Sequence, residues 1–215
     1  MNLTQLRKLD LYRVNISSTI PLNFSSYLTT LGLSHTELFG ILPERVFHLS
    51  NLELLDLLYN HQLTVRFPTT KWNSNASLMD LDLYGVNATG PIPRPLWNLT
   101  SIQILNLRNS HLEGPISQFL KFGKLKSGLQ NLQLFSLSSN YLNETIPSWI
   151  FSLPSLSLLN LSENNFRGKI PEFKSKSLSY VALKQNQREG PIPESLLDQQ
   201  GLSNVFLSQN NLFTG

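Results

Sequence analysis

The sequence predicts an α/β-type solenoid: a right-handed superhelix of about nine coils, with a concave parallel β-sheet and an irregular or 3-10 convex side. Three observations predict it. A leucine-centred unit recurs along the 215 residues at a near-constant period. A glycine and an apolar-Pro pair recur at fixed offsets within that unit. Cysteine is absent, which suits a core that runs unbroken from coil to coil and needs no cross-links.

The unit is clearest from Leu156 to Pro171, which reads LxxLxLxxNxLxGxIP with Phe166 in the third apolar slot. Taking its second leucine as the anchor, matching anchors fall at Leu9, Leu31, Leu55, Leu81, Leu105, Phe135, Leu159, Val181 and Val205. Successive spacings are 22, 24, 26, 24, 30, 24, 22 and 24 residues. The anchor and the apolar residue two positions later point to one side of a short strand, because side chains alternate with period two. Stacked strands then bury that row as a parallel sheet. The domain organisation is accordingly one repeat domain over residues 1–215.

Five positions after the anchor, Asn60, Asn140, Asn164, Asn186 and Asn210 suit a buried ladder in which side-chain amides satisfy backbone groups at the turn. Val14, Thr36, Val86 and Ser110 interrupt that ladder in the first half. Nine positions on, Gly40, Gly90, Gly114, Gly168 and Gly190 permit a tight turn. Apolar-Pro pairs follow, such as Leu42-Pro43, Ile92-Pro93 and Ile170-Pro171. Proline cannot donate to an interior ladder, so these segments are assigned to the convex side. Short helical turns are expected at Pro43–Leu49 and Pro193–Leu197.

This pattern is similar to the plant-specific class of extracellular leucine-rich repeats over the whole chain. The stretches LPERVFHLS (42–50), QLTVRFPTTKWN (62–73) and PSWIFSLP (147–154) resemble, more narrowly, the tomato Cf-type receptor-like proteins of leaf-mould resistance. The generic repeat does not demand those segments. The resemblance implies a protein-recognition scaffold on the extracellular face of the plasma membrane. It implies a pathogen-derived effector or peptide as ligand, a receptor-like kinase as signalling partner, and no cofactor. A secreted inhibitor of a microbial enzyme, similar to the polygalacturonase inhibitors, is the alternative of a different class; a truncated, non-functional paralogue is a third.

The chain departs from the family in three places. One extra residue puts Leu63 rather than Gln62 in the apolar slot. The interval of 30 residues after Leu105 contains a basic, Gly-containing stretch, Lys121–Gly128, read as an in-frame loss of repeats or as a recognition loop. The family's Cys-containing caps and membrane span have no counterpart, so an internal or truncated portion is expected. Any membrane attachment would come from segments absent from this chain.

Composition narrows the function classes. A formal net charge of +3, spread along the chain, is too diffuse for a nucleic-acid footprint. Without cysteine there is no Cys-type zinc site and no thiol catalysis. HExxH, GxSxG, P-loop and GxGxxG segments are absent, and no catalytic residue is assigned. Asp56 and Asp82 share a column on adjacent coils, yet exposed carboxylates of this kind stay solvated rather than acting as a catalytic pair. His61 and His111 lie two coils apart, and no metal site is assigned.

Sequons occur at Asn2, Asn15, Asn23, Asn75, Asn87, Asn98, Asn143 and Asn160, twice the number that the Asn, Ser and Thr content predicts by chance. That excess favours a secretory route. A glycan at Asn160 would restrict the concave face.

Residues flanking the buried pair project from the concave sheet. In the first five coils they are chemically rich: Asp10, Tyr12, Arg13, His35, Asp56, Tyr59, His61, Asp82, Tyr84, Arg108 and His111. In the sixth and seventh coils they become plain, as in Ser136, Ser138, Ser139 and Ser162. Tyr and Arg offer large contact area with a polar end, so the rich set is the candidate ligand-binding surface.

Overall fold

The computed structural model describes residues 4–20, 24–68, 77–116 and 128–213. Nine three-residue strands form one parallel sheet in sequence order: Lys8–Asp10, Thr30–Gly32, Leu54–Asp56, Asp80–Asp82, Ile104–Asn106, Leu134–Ser136, Leu158–Asn160, Tyr180–Ala182 and Asn204–Phe206. The central residue of each is the anchor. Leu55 sits opposite Leu31 and Leu81, Phe135 opposite Leu105 and Leu159, and so along the whole sheet. Anchors from Leu31 to Val181 are fully buried, and the apolar residues two positions later (Leu57, Leu83, Leu107, Leu137, Leu161, Leu183) are buried beside them. Period-two alternation therefore delivers one continuous apolar row, as the spacing requires.

The side beyond the ladder is more regular than expected. A second parallel sheet of eight strands runs down it: Phe39–Ile41, Gln62–Val65, Asn87–Gly90, His111–Pro115, Tyr141–Thr145, Asn165–Gly168, Gln187–Pro191 and Asn211–Phe213. The recurring glycines lie at or near the ends of these strands rather than in a separate tight turn. Gly90, for example, ends its strand at φ +81°, which a side chain would strain. Proline follows the glycine by one to three residues and itself ends two of the strands, at Pro115 and Pro191, where it has no N–H to carry the ladder further.

The convex side is then completed by short turns, as expected. Three are 3-10 helices, Glu44–His48, Arg94–Asn98 and Ser148–Ser152, and one is an α-helical turn, Glu194–Leu197. Each begins after an extended proline and tucks apolar residues inward: Val46 and Phe47, Leu96 and Trp97, Ile150 and Phe151, and Leu196.

The asparagines work as the spacing implies. Asn164 Nδ2 donates to the carbonyls of Leu161 in its own coil and Leu137 in the preceding one, while its Oδ1 accepts the Leu142 N–H at 3.0 Å. Asn60, Asn140, Asn186 and Asn210 repeat this arrangement. Each amide satisfies backbone groups that the turn would otherwise leave buried and unpaired.

Residues 121–127 of the basic stretch lie outside the described residues. On either side of it both sheets keep their register, with Phe135 opposite Leu105 and Leu142 opposite Gly114. The long interval therefore leaves the register of both sheets unchanged. Gly128, at its end, packs against the Trp97 carbonyl so closely that a Cβ there would collide with it.

Candidate functional site: the concave face and its flank

The concave sheet does not stop at the anchor strand. In successive coils the residue four after the anchor donates its N–H to the next coil, as Tyr59 does to the Tyr84 carbonyl at 2.8 Å. These residues have left-handed backbones: Arg13, His35, Tyr59, Asn109, Ser139, Glu163, Gln185 and Gln209 all lie between φ +53° and +59°, with Gly85 at +71°. A non-glycine residue held there costs about 1–2 kcal/mol, which the hydrogen bonds on both sides offset. The left-handed bend turns these side chains sideways, toward those of the neighbouring coils.

In the first five coils the bend assembles a continuous stripe. Ring centroids are 5.7 Å apart for Tyr12 and His35, 4.4 Å for His35 and Tyr59, and 4.6 Å for Tyr59 and Tyr84. His61 meets the edge of Tyr59 at 5.8 Å. Guanidinium groups cover both ends, Arg13 at 5.0 Å from the Tyr12 centroid and Arg108 at 4.3 Å from Tyr84. A side-chain hydrogen bond with Tyr84, then desolvation, raises the Tyr59 pKa above its ordinary value. The structure thus joins Tyr12, Arg13, His35, Tyr59, His61, Tyr84 and Arg108 into one surface.

The acidic candidates have a second duty. Asp10, Asp56 and Asp82 accept the N–H two residues ahead, at 3.3, 3.1 and 3.0 Å, which shapes the turn after each strand. Asp82 also takes both contacts of the Asn106 amide at 3.0 Å. Burial raises the Asp82 pKa, and these hydrogen bonds oppose that rise.

Asp80 is a member of this face that sequence reasoning missed. Its Oδ1 is buried with no hydrogen-bond partner, and its pKa is raised to about 6 by burial first, then by the charges of Asp82 and Asp56. The signal was available: Asp80 directly precedes an anchor, where Leu54, Ile104, Leu134 and Leu158 stand in neighbouring coils.

His111 does not join the stripe. It lies on the flank, where the second sheet begins, with its ring 5.9 Å from Tyr141. A groove of about 700 Å³ opens there, lined by His61, Asn87, Asn109, His111, Ser139, Tyr141, Glu163 and backbone around Gly85 and Asn140. Gly85 leaves room for the His61 ring, whose Cε1 would be 3.1 Å from a Cβ at that position. Tyr141 and Glu163 were not singled out in the sequence.

On the sixth and seventh coils the concave face holds its carboxylate internally, while the Ser136 and Ser162 hydroxyls are buried without a hydrogen-bond partner. Ser139 donates to Glu163 at 2.7 Å, and Lys184 pairs with Glu163 at 3.4 Å. The Ser139 hydrogen bond leads in lowering the Glu163 pKa, with Lys184 adding to it against desolvation. Among the described residues no group of three or more His, Asp or Glu is placed to hold a metal ion, and no helix is long and apolar enough to cross a membrane.

The sequons divide by position. Asn2, Asn23 and Asn75 lie outside the described residues. Asn15 and Asn98 are exposed, Asn98 at the end of a 3-10 turn. Asn87, Asn143 and Asn160 are half-buried, with Asn87 in the wall of the groove and Asn160 on a concave strand.

Comparison with known proteins agrees with this architecture. The leucine-rich-repeat family model matches residues 131–153 and 155–175. The receptor-like protein Cf-9 homolog of Solanum lycopersicum is 52% identical over 266 aligned positions, which take in 92% of this chain and 31% of that protein. The chain therefore spans about a third of the length of that relative. The aligned stretch exceeds the part of this chain it covers by about 68 positions, about three repeats of the usual length.

Two solved structures share the fold closely. The ectodomain of the Arabidopsis receptor kinase HAESA, in complex with an extended IDA peptide hormone, superposes with a TM-score of 0.86 at 31% identity, covering 98% of this chain and 35% of that one. HAESA with the peptide hormone IDA and the co-receptor SERK1 gives 0.82 at 27% identity, covering 99% and 39%. The chain is a leucine-rich-repeat solenoid of the plant extracellular type, similar over most of its own length to part of the Cf-9-type receptor-like proteins.

Proposed function

We propose that this chain is a ligand-recognition segment of a plant defence receptor-like protein, and that it contacts a protein ligand through the stripe from Tyr12 to Arg108. The observation that carries this reading is the unbroken run of Tyr, His and Arg side chains across five coils, against the serine-rich surface of the sixth and seventh coils. Rigid aromatic and guanidinium groups supply contact area at low entropic cost, which is what recognition hot spots need. The ligand is a pathogen-derived effector or peptide in the apoplast. A receptor-like kinase relays the signal, because nothing in the repeat performs phosphoryl transfer. Similarity to HAESA, crystallised with a peptide hormone and a co-receptor, supports partners of these two kinds. Residues 1–215 act as one repeat domain, and the sequons carry glycans on the secretory route. Attachment to the membrane is supplied by segments beyond this chain.

The test is simultaneous alanine substitution of Tyr59, Tyr84 and Arg108 in a complete receptor. Recognition is abolished while the receptor still accumulates at the cell surface. Undiminished recognition by that triple variant would discard the stripe as the contact surface.

A further inference from the structure

The groove on the flank shares only His61 with the concave stripe, and its wall contains Asn87, the acceptor of the glycosylation sequon Asn87-Ala88-Thr89. Asn87 begins a strand of the second sheet, one coil from His61 and one from His111. We propose that this groove seats the first sugars of an N-linked glycan attached at Asn87, so that the glycan is part of the packed flank.

Four features carry the proposal. Asn87 lies half-buried among the residues that line the groove, so sugars attached to it have the groove beside them. The volume of about 700 Å³ falls within the range of about 300–1,000 Å³ that suits a bound small molecule, here a short saccharide. His111 and Tyr141 form a tilted pair, 5.9 Å apart at 32°, on the rim. Tyr141 is 57% exposed, an unusual state for so large a ring. Ring faces are electron-rich and attract the slightly positive C–H bonds on the flat side of a pyranose. The Asn109 amide offers a donor and an acceptor for the sugar hydroxyl and acetamido groups.

Attachment does not disturb the protein. Asn87 Nδ2 donates to Thr64 Oγ1 at 3.3 Å, and an N-linked amide keeps one of its two N–H bonds for that purpose. The exposed sequons Asn15 and Asn98 line no such groove among the described residues, so their glycans stand free in solvent.

The proposal rests on the extracellular reading only in that sequons must be read during secretion. The full chain is given a secretion leader and produced in plant cells. An amidase that cleaves the Asn–sugar bond is applied to folded and to unfolded protein, and peptide mass spectrometry follows each site. Occupancy of Asn15 and Asn98 reports passage through the pathway independently of the groove.

The expected result is a glycosylated Asn87 whose release from the folded chain is about tenfold slower than that of Asn98, as two ring contacts would produce. Unfolding removes the difference. The paired substitution His111→Ala and Tyr141→Ala, both at exposed positions, brings release at Asn87 to within about twofold of Asn98. An unchanged rate at Asn98 verifies that the variant is folded. An unmodified Asn87 beside modified Asn15 and Asn98 overturns the proposal. So does equal release in the folded chain, or slow release that the paired substitution leaves unaltered.

Discussion

The coils up to His111 and those from Leu134 onward share a backbone and differ in what holds their turns. In the later coils the asparagine ladder is complete from Asn140 to Asn210, and the concave face above it is mostly serine, asparagine and glutamine, with one Lys–Glu pair and one Tyr180–Phe206 ring pair. In the earlier coils Asn60 is the one ladder asparagine, yet the concave face carries the aromatic and guanidinium stripe. The gaps are filled in different ways. Thr36 Oγ1 donates to the Leu33 carbonyl at 2.7 Å, Ser110 Oγ to the Val86 carbonyl at 3.0 Å, and Val86 is simply buried. Sheet register is the same in both halves. The comparison teaches that the two sheets and the leucine row set the path of the chain. The amides satisfy the turns that this path creates.

That division of labour can be broken most forcefully at Asn164. Replacing it with alanine strands the Leu142 N–H in the buried turn, while the carbonyls of Leu137 and Leu161 lose one of two amide donors and keep those of Asn140 and Asn186. An orphaned buried donor costs about 1–3 kcal/mol, so Asn164→Ala is expected to destabilise by about 2–3 kcal/mol in urea unfolding. The loss should be concentrated near coils six and seven, read as faster hydrogen exchange at the Leu142 amide. A cost below about 1 kcal/mol would mean the ladder contributes little, and the contrast between the halves would lose its basis.

A second test sits inside the regular half, at its one conspicuous fault. Arg188 occupies the slot filled by Leu112, Leu142, Phe166 and Leu212 in other coils, and it is fully buried. Its Nη1 donates to the Arg167 carbonyl, while Nε and Nη2 have no partner. Burial lowers its pKa to about 10, with Glu189 pulling the other way. Arg188→Leu restores the apolar row and removes two unpaired donors, so the chain should gain about 1–3 kcal/mol in the same unfolding assay. A loss of stability instead would show that the guanidinium is a structural member of its coil.

Much of this was legible in the sequence, and the reasons for the rest are specific. Anchors, buried pairs, ladder asparagines and convex turns were readable because each is a side-chain property repeated at fixed offsets. The second sheet was not, because it is held by backbone hydrogen bonds. Residues as dissimilar as His111, Tyr141 and Gln187 occupy it at equal positions. Reading the prolines as convex markers placed Gly90 and Gly114 in turns, when they belong to those strands. For the face, residue type picked out Tyr59, Tyr84 and Arg108, but their contact depends on the left-handed bend, which leaves no compositional trace. His111 was grouped with them by offset alone. Six positions after the anchor the chain has turned onto the flank; His61, at the same offset, still meets the Tyr59 ring, whereas His111 pairs with Tyr141.

The smallest effect concerns the price in stability of a chemically rich face, and Asp80 isolates it. On the later concave face Glu163 is held by Ser139 and Lys184; Asp80 instead keeps one oxygen buried and bare beside Asp56 and Asp82. A carboxyl whose pKa rises on folding, here from 3.8 to about 6, binds its proton more tightly in the folded chain. Its contribution to stability is therefore fully present below the unfolded value and is lost as pH climbs through the folded one. Asp80→Asn keeps the shape and removes the proton equilibrium. The variant should be more stable than the parent at neutral pH, and its thermal midpoint should change less between pH 4 and pH 7. Partial solvent access keeps the gain modest, well below the effect at Asn164. If parent and variant follow the same pH dependence, the bare carboxylate costs the fold nothing, and the rich half is as well satisfied as the plain one.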